Sequence, residues 1–143
     1  MENTGQIVIL EDDPEDRELL KEVLLEIGVT EKMVFFEDGH KALDYLIATE
    51  DQPFLILSDI NLPGMSGLQF QQRVNENEYL RKKSIPLVFL TTVDNAGIIE
   101  KVYSLTVQGF FIKPSSFTEY KDTLSSITAY WRLCRHPNTL QLP

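Results

Sequence analysis

The stretch Ile7-Val8-Ile9-Leu10-Glu11-Asp12 decides the fold. Four consecutive apolar residues read as a buried strand, and that strand runs directly into two acids. Four more runs repeat the pattern. Met33-Val34-Phe35-Phe36 ends in Glu37-Asp38-Gly39, and Phe54-Leu55-Ile56-Leu57 passes through Ser58 into Asp59. Leu87-Val88-Phe89-Leu90 ends at Thr91, and Phe110-Phe111-Ile112 ends at Lys113-Pro114. In an open parallel sheet, ligands bind outside the carboxyl ends of the strands, where the strand order reverses. Three carboxylates, a hydroxyl and an ammonium are therefore expected at one edge, a combination suited to a magnesium-dependent phosphoryl site.

Helical patterns lie between the runs, and this alternation predicts βαβ units. The first helix opens at Asp13-Pro14, a capping acid followed by proline at the first helical position. Glu15 and Asp16 complement its positive end, and Gly28 closes it behind the apolar face Leu19, Leu20, Val23, Leu24 and Ile27. The second helix is expected over about 40–49, burying Ala42, Leu43, Leu46 and Ile47. The third starts near Ser66 and fades into the polar stretch Asn75 to Ser84. The fourth, about Asn95 to Leu105, places Ile98, Val102 and Leu105 on one face, with Ile99 and Tyr103 on a neighbouring one. In the last, Phe117, Tyr120, Leu124, Ile127, Trp131 and Cys134 alternate spacings of three and four. Five strands and five helices use up the chain as a single domain, with a core over about 6–134 and a polar tail at 135–143.

Composition narrows the function classes. At 143 residues, 43% hydrophobic and 24% charged, the chain reads as one globular domain. Its net charge of −9 leaves no electrostatic footprint for nucleic acid. The single cysteine excludes an intrachain disulfide, and Cys134 reads as a helix packing residue. No apolar stretch approaches the roughly 20 residues of a membrane span, and Met1-Glu2-Asn3 does not begin a signal peptide. The expectation is a cytoplasmic protein without membrane or nucleic-acid partners. His40 and His136 have no metal-spaced partners and read as surface side chains.

The strand ends carry complementary chemistry. Mg²⁺ takes oxygen ligands, commonly one or two carboxylates with water and phosphate oxygens completing the shell. Glu11 and Asp12 suit that role, whereas helix capping suffices for Asp13 and Asp16. Asp59 is the candidate nucleophile, since a carboxylate attacking phosphorus gives an acyl phosphate. Asn61 can offer its backbone carbonyl to the metal, and Pro63-Gly64 marks the following turn. Thr91 and Lys113 can donate to phosphoryl oxygens. Each is unremarkable alone; the set is not.

In this set the chain resembles the receiver domain of two-component response regulators, from Ile7 to about Cys134. The matching motifs are ILEDD (9–13), DINLPGMSG (59–67), FLTT (89–92) and FFIKP (110–114). The resemblance implies a flavodoxin-like, doubly wound parallel sheet of order 2-1-3-4-5 and no output domain. It implies that Asp59 accepts phosphate from a sensor histidine kinase or phosphotransfer protein. Glu11, Asp12, Asp59 and the Asn61 carbonyl would bind Mg²⁺, while Thr91 and Lys113 engage the phosphoryl group. Thr91 and Phe110 would form the switch pair, and Lys113-Pro114 would be cis. Such a receiver catalyses only its own phosphorylation and dephosphorylation. Tyr120, Tyr130-Trp131 and Leu142-Pro143 are similar to the stand-alone regulators of bacterial phytochrome kinases.

Two positions depart from the family pattern. Thr92 stands where a smaller residue is usual, and Val93 where fast-dephosphorylating members often carry a polar one. Apolar bulk there would hinder the attacking water, so a long-lived phosphoryl state is expected. The resemblance also points to the face of the fourth helix, fifth strand and fifth helix (Ile99, Tyr103, Phe111 and Tyr130) as a homodimer interface. Pro14, Glu15, Arg17 and Glu18, with Pro114-Ser115-Ser116, would receive the kinase. Two rival readings are weaker. An aspartyl-phosphate phosphatase would carry an acid where Asn61 stands, and a phosphate-independent adaptor has no physical need for the full set.

Overall fold

The computed structural model describes residues 5–92 and 96–134. Five strands, β1 (Ile7–Leu10), β2 (Met33–Phe36), β3 (Leu55–Ser58), β4 (Leu87–Thr91) and β5 (Gly109–Ile112), form one parallel sheet of order β2-β1-β3-β4-β5. The order reverses at β1, so the carboxyl ends of β1 and β3 border the crevice this topology creates. Between and after the strands run α1 (Pro14–Glu26), α2 (Gly39–Ala48), α3 (Gly67–Glu76), α4 (Glu78–Lys83), α5 (Ala96–Ser104) and α6 (Phe117–Leu133). None of these helices is long and apolar enough to cross a membrane.

Strand side chains alternate between the two faces of the sheet and so build two cores. Ile7, Ile9, Leu55, Leu57, Val88 and Leu90 pack with Leu20, Val23 and Leu24 of α1 and Tyr120, Leu124 and Ile127 of α6. Val8, Leu10, Ile56, Leu87 and Phe89 pack with residues of α2 to α5, including Leu46, Phe70, Leu80 and Val102.

Helix starts obey local chemistry. The Asp13 carboxylate accepts from the Glu15 N–H, and Pro14 opens α1. Ser66 and Gln69 form a reciprocal capping box at α3. The described residues hold six helices, not the expected five. Asn77 ends α3 in extended conformation, and its side chain accepts from the Leu80 N–H to start α4. Only Leu80 of that short helix is buried, so the segment carries no amphipathic period and read as a polar fade-out. Ile47, expected in the core, is 46% exposed. Trp131 packs against the first core, and Cys134 caps α6 rather than continuing it.

The far end of α6 is tied down. Arg132 makes a forked ion pair with Glu31, from the loop before β2, with Nη2–Oε1 at 2.9 Å. The Glu31 side chain is 1% exposed, and the guanidinium also lies 5.5 Å from the centre of the Phe54 ring.

Candidate functional site

The carboxyl ends of β1, β3 and β5 bring Glu11, Asp59 and Lys113 together. The Lys113 ammonium donates to Glu11 Oε1 at 2.8 Å, Asp16 Oδ2 at 2.9 Å and Asp59 Oδ2 at 3.1 Å. The backbone sets this convergence. Asp59 N–H donates to the Leu10 carbonyl, and Lys113 N–H to the Thr91 carbonyl, so each functional residue hangs from the neighbouring strand. The other Asp59 oxygen, Oδ1, accepts from the Ile60 N–H at 2.6 Å and the Asn61 N–H at 3.4 Å, which aims the carboxylate. Glu11 Oε2 accepts from the Asp13 N–H at 3.2 Å.

Gly67 closes the loop after Asp59 by donating its N–H to the Ile60 carbonyl at 2.8 Å. A Cβ here would lie 2.2 Å from the Asp59 carbonyl oxygen and 2.8 Å from a Phe89 ring carbon. Only glycine fits.

Burial and charge act against each other in this cluster. At Glu11 burial dominates and holds the carboxyl above its usual range, because Lys113 divides one charge among three carboxylates. Burial alone would push the Lys113 ammonium down; its hydrogen bonds to Glu11 and Asp16 push it up instead, well above the ordinary lysine value.

The other expected residues fall as follows. Thr91 ends β4 fully buried, one position along the sheet from Lys113. Asp12 and Asn61 are exposed beside the crevice. Phe110 is half-buried against the α2–α5 core. Ile99 is half-buried, while Tyr103, Phe111 and Tyr130 are exposed, the last standing edge-on to Trp131. Val93, His136 and Leu142-Pro143 lie outside the described residues. No cis peptide bond occurs among the described residues; Lys113-Pro114 is trans, the ordinary preference of an Xaa–Pro bond.

Two residues of the site were missed or under-read. Asp16 has a sufficient local reading as a helix-end acid, yet it binds Lys113, a contact across 97 positions that no local pattern announces. Tyr120 reads in the sequence as a core position of the last helix and as a mark of the phytochrome-regulator resemblance, with no site role. It is 2% exposed, and its hydroxyl finds no hydrogen-bond partner among the described residues. The one signal was a phenol at a core position of an amphipathic helix, seven residues after Lys113.

Burial pushes that phenol up to about 12. The unfolded chain titrates it near 10, so its stabilising share is complete below pH 10 and vanishes as pH rises toward 12. Tyr120→Phe is expected to lose about 2–3 kcal/mol less than wild type across that window. At neutral pH the same variant should be about 1 kcal/mol more stable, since an unpaired buried hydroxyl is removed. Urea midpoints at pH 7, 10 and 12 check both, and parallel curves for the two proteins would refute them.

The donor set fits Mg²⁺. Glu11, Asp12, Asp16 and Asp59 bring four carboxylates to an edge with one ammonium, all hard oxygen donors and an excess of negative charge. Among the described residues no three acids form a ready-made metal cluster, because Lys113 holds the centre. Mg²⁺ seldom needs such a cage, as it keeps waters and binds through one or two carboxylates.

The model of the response regulator receiver domain matches residues 7–125. The chain belongs to that family. Receiver domains are phosphorelay modules of two-component systems, generally signalling parts rather than enzymes, and they work with histidine kinases and phosphotransfer proteins. This receiver is 33% identical over 129 residues to the probable methanogenesis regulatory protein FilR2 of Methanothrix harundinacea (strain 6Ac), covering 87% of this chain and 82% of FilR2. It is similar to the phosphorylated cyanobacterial phytochrome response regulator RcpA, with a TM-score of 0.83 and 28% identity over 93% of this chain and 98% of RcpA. It is likewise similar to the Mn(2+)-bound response regulator Rcp1, known from Synechocystis, with a TM-score of 0.80 and 27% identity over 93% and 99% of the two chains. Stand-alone phytochrome regulators are thus among its relatives.

Proposed function

We propose that this receiver accepts a phosphoryl group on Asp59 from a phosphohistidine of a sensor kinase or phosphotransfer protein. The observation that carries the reading is the aimed Asp59 carboxylate. Oδ1 is held by two backbone N–H groups, and Oδ2 faces the only ammonium of the crevice among the described residues. Oδ2 forms a bond to phosphorus as the P–N bond breaks and its electron pair returns to the imidazole. Lys113 and the Thr91 hydroxyl stabilise the phosphoryl oxygens. Glu11, Asp12, Asp59 and the Asn61 carbonyl would hold Mg²⁺, which neutralises charge on the phosphoryl group when bound. That RcpA is known phosphorylated and Rcp1 with Mn(2+) supports both halves of the reading.

On this reading the receiver works in the cytoplasm and signals through its surface. The exposed Tyr103, Phe111 and Tyr130, with Ile99, make the α5–β5–α6 face the candidate homodimer interface.

The test is intact mass after incubation with acetyl phosphate and Mg²⁺, repeated with a phosphorylated histidine donor. Wild type should gain one phosphoryl group; Asp59→Asn, or wild type with a chelator, should gain none. An equal gain in Asp59→Asn, or none in wild type from either donor, would overturn the assignment.

A further inference from the structure

Lys113 has three N–H donors, and Glu11, Asp16 and Asp59 take one each. When Asp59 Oδ2 bonds to phosphorus, the N–H it held turns to the phosphoryl oxygens, and the contacts to Glu11 and Asp16 have no reason to break. Those two are also the shorter ones, at 2.8 and 2.9 Å against 3.1 Å to the reacting oxygen. The ammonium is thus held at two points and presents its third donor to Asp59. A lysine stem is flexible, and one anchor alone would leave the ammonium free to pivot.

The second anchor is well built for the task. Asp16 carries a short side chain on the first turn of α1, whose start is fixed by Pro14, by the Asp13 cap and by the Arg17 N–H donating to the Asp13 carbonyl at 3.0 Å. The same turn steadies the first anchor, because the Asp13 N–H donates to Glu11 Oε2 at 3.2 Å. Attraction to the helix start accounts for an acid at position 16. It does not account for the contact with Lys113, a side chain only 9% exposed that arrives from the far end of the chain just after β5.

We infer that Asp16 is a positioning residue of the phosphoryl site: its carboxylate and that of Glu11 hold the Lys113 ammonium at two points, so that the third N–H meets Asp59 before phosphorylation and the phosphoryl group after it. Asp16 acts through Lys113, not on the reacting atoms, and it keeps its contact in both states. The inference rests on the phosphoacceptor reading above. It makes the first turn of α1 part of the phosphoryl site.

The test compares Asp16→Asn with Asp16→Ala in the full chain. Both remove the charge and its attraction to the start of α1, but asparagine keeps an oxygen that accepts from Lys113 and alanine does not. Asp16 is 34% exposed, so both variants should fold. With beryllofluoride and Mg²⁺ as the phosphoryl mimic, Asp16→Ala should bind about fivefold more weakly than Asp16→Asn, part of the roughly tenfold that ordering a whole lysine stem costs. In chains labelled with ¹⁵N at lysine, the Lys113 ammonium resonance is identified by its loss in Lys113→Arg. It should stay sharp in the beryllofluoride complex of Asp16→Asn and broaden by exchange with water in that of Asp16→Ala. A merely structural acid would leave the two variants alike, and equal affinities or equally sharp resonances overturn the inference alone. Failure of beryllofluoride to bind wild type overturns the phosphoacceptor reading and the inference with it.

Discussion

Gly67→Ala is expected to cost at least about 3 kcal/mol and to lower the melting temperature by roughly 10 °C. The contacts that a Cβ would meet at 2.2 and 2.8 Å belong to the Asp59 backbone and a fully buried Phe89, neither of which can swing aside. The Asp59 carbonyl also accepts from the Ser58 hydroxyl at 2.7 Å, which binds the loop further. Relief must come from moving the 59–67 loop, and that displaces the Asp59 carboxylate, the proposed acceptor. Phosphoryl acceptance should therefore fall together with stability. Gly28→Ala is the control. Its φ of 90° strains any side chain, but nothing lies within 4 Å of the added methyl, so only about 1 kcal/mol is expected. Thermal melts of the two variants should separate clearly. Equal melting temperatures would mean the loop tolerates the methyl.

Lys113→Met should be nearly as damaging, with a distinct pH signature. Methionine preserves much of the stem but leaves Glu11, Asp16 and Asp59 facing one another without a cation. Removing one partner of a buried pair costs about 3–5 kcal/mol, and the partial exposure of Asp16 places the expected loss near the lower bound. Glu11 is already held above the usual carboxyl range by burial, and losing the ammonium raises it further. A carboxyl raised in the folded state contributes stability that is present at low pH and lost as pH climbs through the folded value. The deficit against wild type should accordingly be small near pH 4 and full near pH 8. Urea midpoints across that range decide it; a deficit of constant size would show that Glu11 does not absorb the lost charge.

Much of this architecture was legible in the chain because local chemistry and tertiary demand agree. The continuous apolar runs all form strands, buried throughout in β1, β3 and β4 and partly covered in the edge strands β2 and β5, and Asp13-Pro14 and Ser66 start helices by local capping. The acids, hydroxyl and lysine at strand ends were legible because the topology, once given, sends every such end to one edge. What escaped has a common cause. α4 has a single buried anchor, and Asp16 and Glu31 gain their meaning from partners 97 and 101 positions away. An acid in the first turn of a helix already has a sufficient local reason to be there, and that reason hid the second one.

The sheet separates two cores, and the crevice at its edge borders both. By strand alternation Thr91 follows Phe89 onto the α2–α5 side, where Phe110 also packs, while Tyr120 lies on the α1–α6 side. A hydrogen-bonded wall stands between them. Each core is packed by its own set of helices, so a packing loss on one side leaves the contacts of the other in place. Substitutions on opposite sides should combine additively, and a partner reading one side need not displace a partner reading the other.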